Sequence, residues 1–133
     1  MQDTAKILMD HGIRPSQQRL CILQYIQSVK THPTVDTIFT ALHPNFPSLS
    51  RTTVYNTLEL FKEHNLVISL DMGEGYLRYD ADMSPHCHFK CEKCGNVYDI
   101  FEEPPSVDSI VPEGFTLKSS ALYIFGICSK CAK

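Results

Sequence analysis

Two Cys-x-x-Cys pairs constrain this chain more than any other feature of its sequence. Cys91 and Cys94 form the first pair, Cys128 and Cys131 form the second, and 33 residues lie between them. Four thiolates in two such pairs are what a tetrahedral structural zinc ion requires. The sequence therefore predicts a four-cysteine Zn²⁺ site, which joins two distant segments of the chain.

The same cysteines are also compatible with unpaired thiols, a thioredoxin-like redox motif, or a disulfide. A thioredoxin motif opens a helix within a βαβ unit, and the residues around Cys91 do not predict one. No apolar run approaches the roughly 18–20 residues of a membrane span, and the start of the chain does not resemble a signal peptide. We expect a cytoplasmic protein with reduced thiols and no membrane partner. Cys21, among apolar residues of a predicted helix, is expected in the core.

A second set of metal-ligand residues lies just before the first cysteine pair. His86 and His88 are one residue apart, so in a strand both side chains point to the same face. Asp99 follows on the next predicted strand, which returns towards His88. Two imidazoles with carboxylates suit a divalent first-row metal such as iron, manganese or zinc. His32 and Asp80 are not linked to this set by periodicity, and His32 by itself is better explained as a capping or solvated side chain.

The order of the predicted elements indicates an α+β fold in two parts. Helical patterns occupy the first half, and we predict that Asp3, Thr34 and Ser50 cap three of these helices. A β-hairpin follows over residues 66–80, with a turn at residues 73–75. We predict a winged helix-turn-helix domain at 1–79, a hinge at 80–85 and a small α/β domain at 86–133. The last part should contain strands in 86–90 and 96–101, a short helix within 104–114, and one or two strands within 115–128.

The charge balance argues against strong non-specific attraction to DNA. The net charge is −3, and residues 1–79 carry seven Lys or Arg against seven Asp or Glu. The helix that begins near Ser50 has an outward face suited to reading DNA, although an ordinary solvated surface helix explains that face equally well. The candidate contacts are Arg51, Thr52, Tyr55 and Asn56 on this helix, with Arg19 and Arg78 as backbone contacts.

Several motifs in order resemble the ferric uptake regulator (Fur) family. They are "GIRPSQQRL" (12–20), "THPTVDTIFTAL" (31–42), "SRTTVYNTLELF" (50–61), "YLRYD" (76–80), "HCHFKCEKCGNVYD" (86–99) and "GICSKC" (126–131). Within that family the chain is most similar to the peroxide-sensing regulators (PerR). The resemblance implies a repressor without enzymatic turnover. It also implies a homodimer formed by the C-terminal domain, which binds a palindromic double-stranded DNA operator.

The resemblance further implies a regulatory site for Fe²⁺ or Mn²⁺. Its ligands are carried over onto His32, Asp80, His86, His88 and Asp99. One ion bound by all five would fix the angle between the two domains. In the iron-loaded form, hydrogen peroxide would oxidise His32 or His86, and DNA would be released. An aspartate at 99, where iron-responsive members have glutamate, and the absence of a "HHHDH" run favour peroxide sensing, whereas Cys87 departs from the family pattern.

Three alternatives follow from the same residues. The first is an iron- or zinc-responsive repressor of the same fold. The second, from another functional class, is a small non-haem iron enzyme that uses His86, His88 and a carboxylate. The third is a thiol switch in which peroxide oxidises the Cys-x-x-Cys cysteines and ejects zinc.

Overall fold

The computed structural model describes residues 3–29, 31–82, 87–101 and 105–133, and the chain divides into two compact units, Met1–Met83 and Ser84–Lys133. Residues 83–85 of the predicted hinge and the predicted ligand His86 lie outside the described residues. Asp80, the first residue of that hinge, is the last residue of a strand in the first unit.

Four α-helices form most of the first unit: α1 (Thr4–Asp10), α2 (Gln17–Ser28), α3 (Val35–Leu42), which runs into a 3₁₀ turn (His43–Asn45), and α4 (Arg51–Glu63). The predicted caps Asp3, Thr34 and Ser50 are confirmed, since each side chain accepts a hydrogen bond from a backbone N–H in the first turn of its helix. Ser16 caps α2 in the same way. Short polar residues thus set where each helix begins.

The predicted hairpin is also confirmed. Strands β1 (Ile68–Asp71) and β2 (Leu77–Asp80) pair antiparallel, with Ile68 opposite Asp80 and Asp71 opposite Leu77. Gly73 and Gly75 have φ of 73° and 84°, a left-handed conformation that glycine adopts without steric cost. Helices followed by this two-stranded hairpin give the first unit the element order of a winged helix-turn-helix.

The core of the first unit lies between the helices and the hairpin. Val54, Leu58 and Phe61, which the helical period of α4 predicts to face inward, are fully buried. Tyr79 of β2 is fully buried beside them and packs into the same cluster. Each such side chain contributes roughly 1.5–3 kcal/mol relative to exposure. Cys21, expected in the core, is only half-buried, and partial burial raises the pKa of its thiol.

The described part of the second unit contains a three-stranded sheet. Its strands are β3 (Cys87–Cys91), β4 (Val97–Ile100) and β5 (Tyr123–Gly126), in the order β4-β3-β5. β3 pairs antiparallel with β4 and parallel with β5.

One prediction for the second unit needs correction. The helix expected within 104–114 is reduced to one 3₁₀ turn, Asp108–Ile110, because Pro112 and the positive φ of Gly114 (86°) do not continue a helix. The prediction of one or two strands within 115–128 is confirmed by β5, and residues 115–122 are not in a strand. Among the described residues, none of the helices combines the length and the apolarity needed to cross a bilayer.

Candidate metal centres

The four cysteines of the two Cys-x-x-Cys pairs meet in the second unit. Their four sulfur atoms all lie within 4.8 Å of one another, and the Cys94 and Cys128 sulfurs are 3.9 Å apart. The sequence predicted these four residues as a set, and the structure brings all of them together. This clustering has the ligand type and ligand number of a structural zinc site.

The sheet register explains why two pairs so distant in sequence meet. β3 ends at Cys91 and β5 ends at Gly126, and the parallel pairing puts these two residues opposite one another. The backbone N–H of Glu92 donates to the Gly126 carbonyl at 2.7 Å. Both strands end at the same edge of the sheet, so the two Cys-x-x-Cys turns (knuckles) that follow them lie side by side.

Backbone N–H groups in both knuckles point at the Cys91 sulfur. Those of Cys94 and Cys128 each donate to it at 3.4 Å. Gly95, with φ of 78°, closes the first knuckle, and its N–H donates to the Cys91 carbonyl at 2.9 Å. Hydrogen bonds to sulfur favour the thiolate, which is the form that binds metal.

The thiols differ in how readily they ionise. Hydrogen bonds from the Cys128 and Cys94 backbone lower the pKa of Cys91 to about 6. The Tyr98 hydroxyl lowers the pKa of Cys128 by hydrogen bonding to its sulfur. The pKa of Cys131 is raised to about 12, chiefly by the hydrogen bond to Cys128 and then by burial. Four thiolates this close repel one another, so a divalent cation is needed to hold all four in the ionised form. The residues therefore fit Zn²⁺.

Gly126 packs closely against the Phe89 ring beside this centre. A Cβ added at Gly126 would lie 3.0 Å from Cζ and 3.4 Å from Cε2 of Phe89. The close approach of β5 to β3, which aligns the two knuckles, thus depends on a residue without a side chain.

A histidine–aspartate pair lies in the first unit, at the end of β2. His32 Nε2 is 3.3 Å from Asp80 Oδ2, and His32 is 3% exposed. The N–H of Tyr79 donates to the Pro33 carbonyl at 2.9 Å, which fastens the segment before α3 to β2 and puts His32 beside Asp80. His32 has φ of 57°, a conformation that is uncommon for a residue with a side chain and is often found at functional sites.

A second histidine–aspartate pair lies in the second unit, across β3 and β4. His88 is directly opposite Asp99 in the sheet register, and its Nε2 is 3.4 Å from Asp99 Oδ1. Tyr123 of β5 flanks His88 on the other side, with ring centroids 6.1 Å apart. Cys87 is buried, and strand alternation turns its side chain to the face opposite His88.

Both pairs offer one imidazole nitrogen and one carboxylate oxygen. This mixed nitrogen and oxygen chemistry suits a divalent first-row ion such as Fe²⁺, Mn²⁺ or Zn²⁺, in contrast to the all-sulfur centre. Two donors alone do not fill the coordination sphere of such an ion, so each pair has the composition of a partial site.

The residues predicted to contact DNA occupy the outer face of α4 and its surroundings. Four exposed side chains project from the first half of this helix: Arg51, Thr52, Tyr55 and Asn56. A polar cleft of about 610 Å³ beside α4 is lined by Arg14, Arg19, Thr53 and Asn56, among others.

Carboxylates hold two of the predicted arginines. Arg51 Nε donates to Asp36 at 2.8 Å, and Arg78 donates to both carboxylate oxygens of Glu74 at 2.8 and 2.9 Å. The sequence reasoning missed Asp36, Glu74 and Tyr98, because no spacing rule connects them to their partners.

Comparisons with known proteins place these features in context. A family model described as "Ferric uptake regulator family" matches residues 10–125. The peroxide operon regulator of Bacillus subtilis is 36% identical over 138 residues, covering 100% of this chain and 94% of the relative. The solved structure of the Helicobacter pylori ferric uptake regulator Fur matches with a TM-score of 0.74 at 20% identity, over 96% of this chain and 88% of that one. PerR from Streptococcus pyogenes, whose structure was solved to explain peroxide sensing and gene regulation, matches with a TM-score of 0.56 at 26% identity, over 98% and 94%.

Proposed function

Since the chain belongs to the ferric uptake regulator family, we propose that it is a metal-dependent DNA-binding repressor that responds to hydrogen peroxide. The family membership confirms the resemblance predicted from the sequence motifs. The single observation that carries the proposal is the occurrence, in one chain, of an all-thiol cluster and of separate histidine–aspartate pairs. The similar proteins are regulators, so we propose regulation rather than catalysis as the role of the metal sites.

The first unit is proposed to bind DNA through α4. Its inner face is fixed in the core by Val54, Leu58 and Phe61, so its outer face is held rigidly towards solvent. Tyr55 is 46% exposed on that face. Arginine and asparagine side chains there suit hydrogen bonding to base edges, and Thr52 suits a phosphate. Arg19 and Arg78 are proposed as further contacts to the DNA backbone.

The second unit is proposed to form a homodimer. Eight large apolar side chains on the described part of this unit are at least 38% exposed: Phe101, Ile110, Phe115, Leu117, Leu122, Ile124, Phe125 and Ile127. Exposed apolar surface of this kind usually marks an interface. In a dimer, two α4 helices would read successive major grooves of a palindromic operator, roughly 34 Å apart.

Structural Zn²⁺ is proposed at Cys91, Cys94, Cys128 and Cys131, where it would keep the second unit folded. The regulatory ion is proposed to be held by His32, Asp80, His86, His88 and Asp99, with Fe²⁺ or Mn²⁺ as the native metal. Two donor pairs, each incomplete alone, support a shared ion. Bound Fe²⁺ would supply one-electron reactivity towards peroxide, which Mn²⁺ would not.

The protein's own part in the response is to offer an imidazole that is lost on oxidation. In the net reaction, hydrogen peroxide adds one oxygen atom to the ring of His32 or His86 and leaves as water. The oxidised ring would be a poorer metal ligand, so the proposed metal-mediated link between the two units would be lost. Moving a two-state equilibrium from 1:99 to 99:1 takes roughly 5.5 kcal/mol of differential binding, which metal coordination can supply.

The test measures DNA binding and covalent oxidation of the protein on the same sample. Metal-loaded protein first selects a duplex from a random-sequence library, and its affinity is then measured with Fe²⁺ or Mn²⁺, before and after a low peroxide dose. We expect peroxide to abolish binding only in the iron form, and mass spectrometry to find one added oxygen on a peptide that contains His32 or His86. His43 and His64, in the first unit but outside both pairs, serve as internal controls for non-specific oxidation.

Three other results would redirect the assignment. Binding that survives peroxide in the iron form would favour an iron- or zinc-responsive repressor. Disulfides at Cys91 and Cys94, with zinc release and intact histidines, would favour the thiol switch. Metal-loaded protein that selects no duplex would contradict DNA binding altogether.

A further inference from the structure

A large cleft in the first unit lies between the start of α3, the first turn of α4 and the β1–β2 hairpin. We call it the wing cleft. Its volume is about 840 Å³. Its wall includes Thr34, Asp36, Arg51, Tyr55, Tyr76 and Arg78. Two arginines therefore face one cleft beside the helix that is proposed to read DNA.

The ion pairs that hold these two arginines differ in how well they are shielded from water. Arg78 gives two hydrogen bonds to Glu74, whose Oε2 also accepts one from the Tyr76 hydroxyl at 2.9 Å. The side chains of Arg78 and Glu74 are 16% and 8% exposed. This shielded, bidentate pair lies within one hairpin and fixes its shape.

Arg51, by contrast, is held in the open. Its Nε donates to Asp36 at 2.8 Å, but the two side chains are 60% and 71% exposed. Its guanidinium carbon lies 4.2 Å from the centre of the Phe39 ring, so Phe39 supports the position of the guanidinium independently of Asp36. An ion pair this exposed is weak, because water screens both charges. A second anion can therefore replace Asp36 while Arg51 stays in place.

We propose that the wing cleft takes one phosphodiester strand of DNA and that Asp36 competes with its phosphate for Arg51. This inference rests on the proposed DNA-binding function, changes the role of Arg51 from a base-edge contact to a phosphate contact, and adds an internal competitor. A guanidinium binds phosphate and carboxylate through the same planar geometry, so the two anions exclude one another at Arg51. Asp36 thus lowers the affinity for DNA of any sequence, and binding depends more strongly on correct placement of α4.

The experiment compares Asp36→Asn, Arg51→Met and the double variant in the full-length, metal-loaded protein. Asp10→Asn is the matched control, since Asp10 is an exposed carboxylate at the end of α1, away from the wing cleft. Binding to a random-sequence duplex and to the library-selected duplex is measured by fluorescence anisotropy over a range of salt concentrations. Urea midpoints check folding, because Asp36 also lies in the first turn of α3. Asp36→Ser replaces Asp36→Asn if the latter is unstable.

We expect Asp36→Asn to tighten binding to both duplexes by about two- to fivefold, the range that an exposed ion pair allows. The slope of log affinity against log salt should become steeper by about one, since one more phosphate is neutralised. Asp10→Asn should change the affinity and the salt dependence less than Asp36→Asn does. The gain in affinity from Asp36→Asn should disappear in the double variant with Arg51→Met.

Two outcomes would overturn the inference. One is an equal effect of Asp36→Asn and Asp10→Asn, which would reflect net charge alone. The other is a gain that persists with Arg51→Met, which would show that Arg51 is not the group released. Neither resembles a failure of the proposed function, in which the wild-type protein itself would bind no duplex.

Discussion

Replacing Gly126 by alanine tests whether close packing of β5 on β3 assembles the zinc centre. The new Cβ would lie 3.0 Å from the Phe89 ring, closer than ordinary van der Waals contact, so the ring or the strand must move. Overpacking of this kind costs about 1–3 kcal/mol. Gly126 is not in the left-handed region, so alanine adds no backbone strain and gains about 0.4–1 kcal/mol from a less flexible unfolded chain.

The net expectation is a loss of about 0.5–2 kcal/mol in the folding of the second unit. Because metal binding and folding are coupled, zinc affinity should fall by about two- to thirtyfold. Zinc affinity is measured by competition with a chromogenic chelator in the presence of saturating Mn²⁺, which occupies the proposed regulatory site, so that the competition reports on the cysteine centre of the second unit alone. Tyrosine signals would not, because tyrosines lie in both units.

Phe89→Leu supplies the matched control. The single variant should weaken zinc binding modestly through lost packing, and the double variant should be less impaired than the sum of the two, since leucine leaves room for the new methyl group. Unchanged zinc affinity in Gly126→Ala, or strictly additive effects in the double variant, would refute the claim that the Phe89–Gly126 contact limits strand approach.

Three further predictions address other parts of the chain. Removing zinc with a strong chelator should make at least four additional thiols reactive towards a thiol reagent, and fewer would contradict ligation by all four clustered cysteines. Tyr79→Phe should cost about 0.5–1.5 kcal/mol at neutral pH, because the Tyr79 hydroxyl donates to Glu59 at 3.1 Å. Burial raises the pKa of Tyr79 above its usual 10, so wild-type stability should fall as the pH rises through about 10, where the unfolded tyrosine ionises. Urea unfolding across this range should show a shallower decline for Tyr79→Phe, and parallel profiles would contradict the assignment. Ser50→Ala should lower the urea midpoint of the first unit by the equivalent of about 1 kcal/mol, since Ser50 caps α4, and an unchanged midpoint would show that the cap is dispensable.

The first unit could be predicted closely from sequence because its signals are local. Helix caps, the period of α4 and the glycine turn each operate over a few residues, and the caps at Thr34 and Ser50 are present as expected. The number of strands within 115–128 could not be fixed from sequence, because β-branched and aromatic residues form a strand only where a neighbouring strand supplies hydrogen bonds. Propensity alone does not show which segments gain such a neighbour.

The candidate sites also contain parts that sequence spacing predicts and parts that it does not. The cysteine set and the alignment of His88 with Asp99 follow from spacing and strand return, which a sequence displays. The meeting of His32 and Asp80 depends on the hydrogen bond between Tyr79 and Pro33 and on an uncommon φ at His32, neither of which a residue pattern predicts. The family resemblance named that pair where physical reasoning from the sequence did not.

One strand connects the two kinds of metal chemistry in the second unit. β3 carries His88 and Cys91, and the parallel pairing sets Tyr123 beside the former and Gly126 beside the latter. Any slip between β3 and β5 would therefore disturb the zinc knuckles and the flank of His88 together, because one register aligns both. The proposed zinc ion would then do more than stabilise the fold, because by locking that register it would also orient an imidazole proposed to hold the regulatory ion. On this view a weakened zinc centre lowers affinity for the regulatory metal even when its own ligands are unchanged.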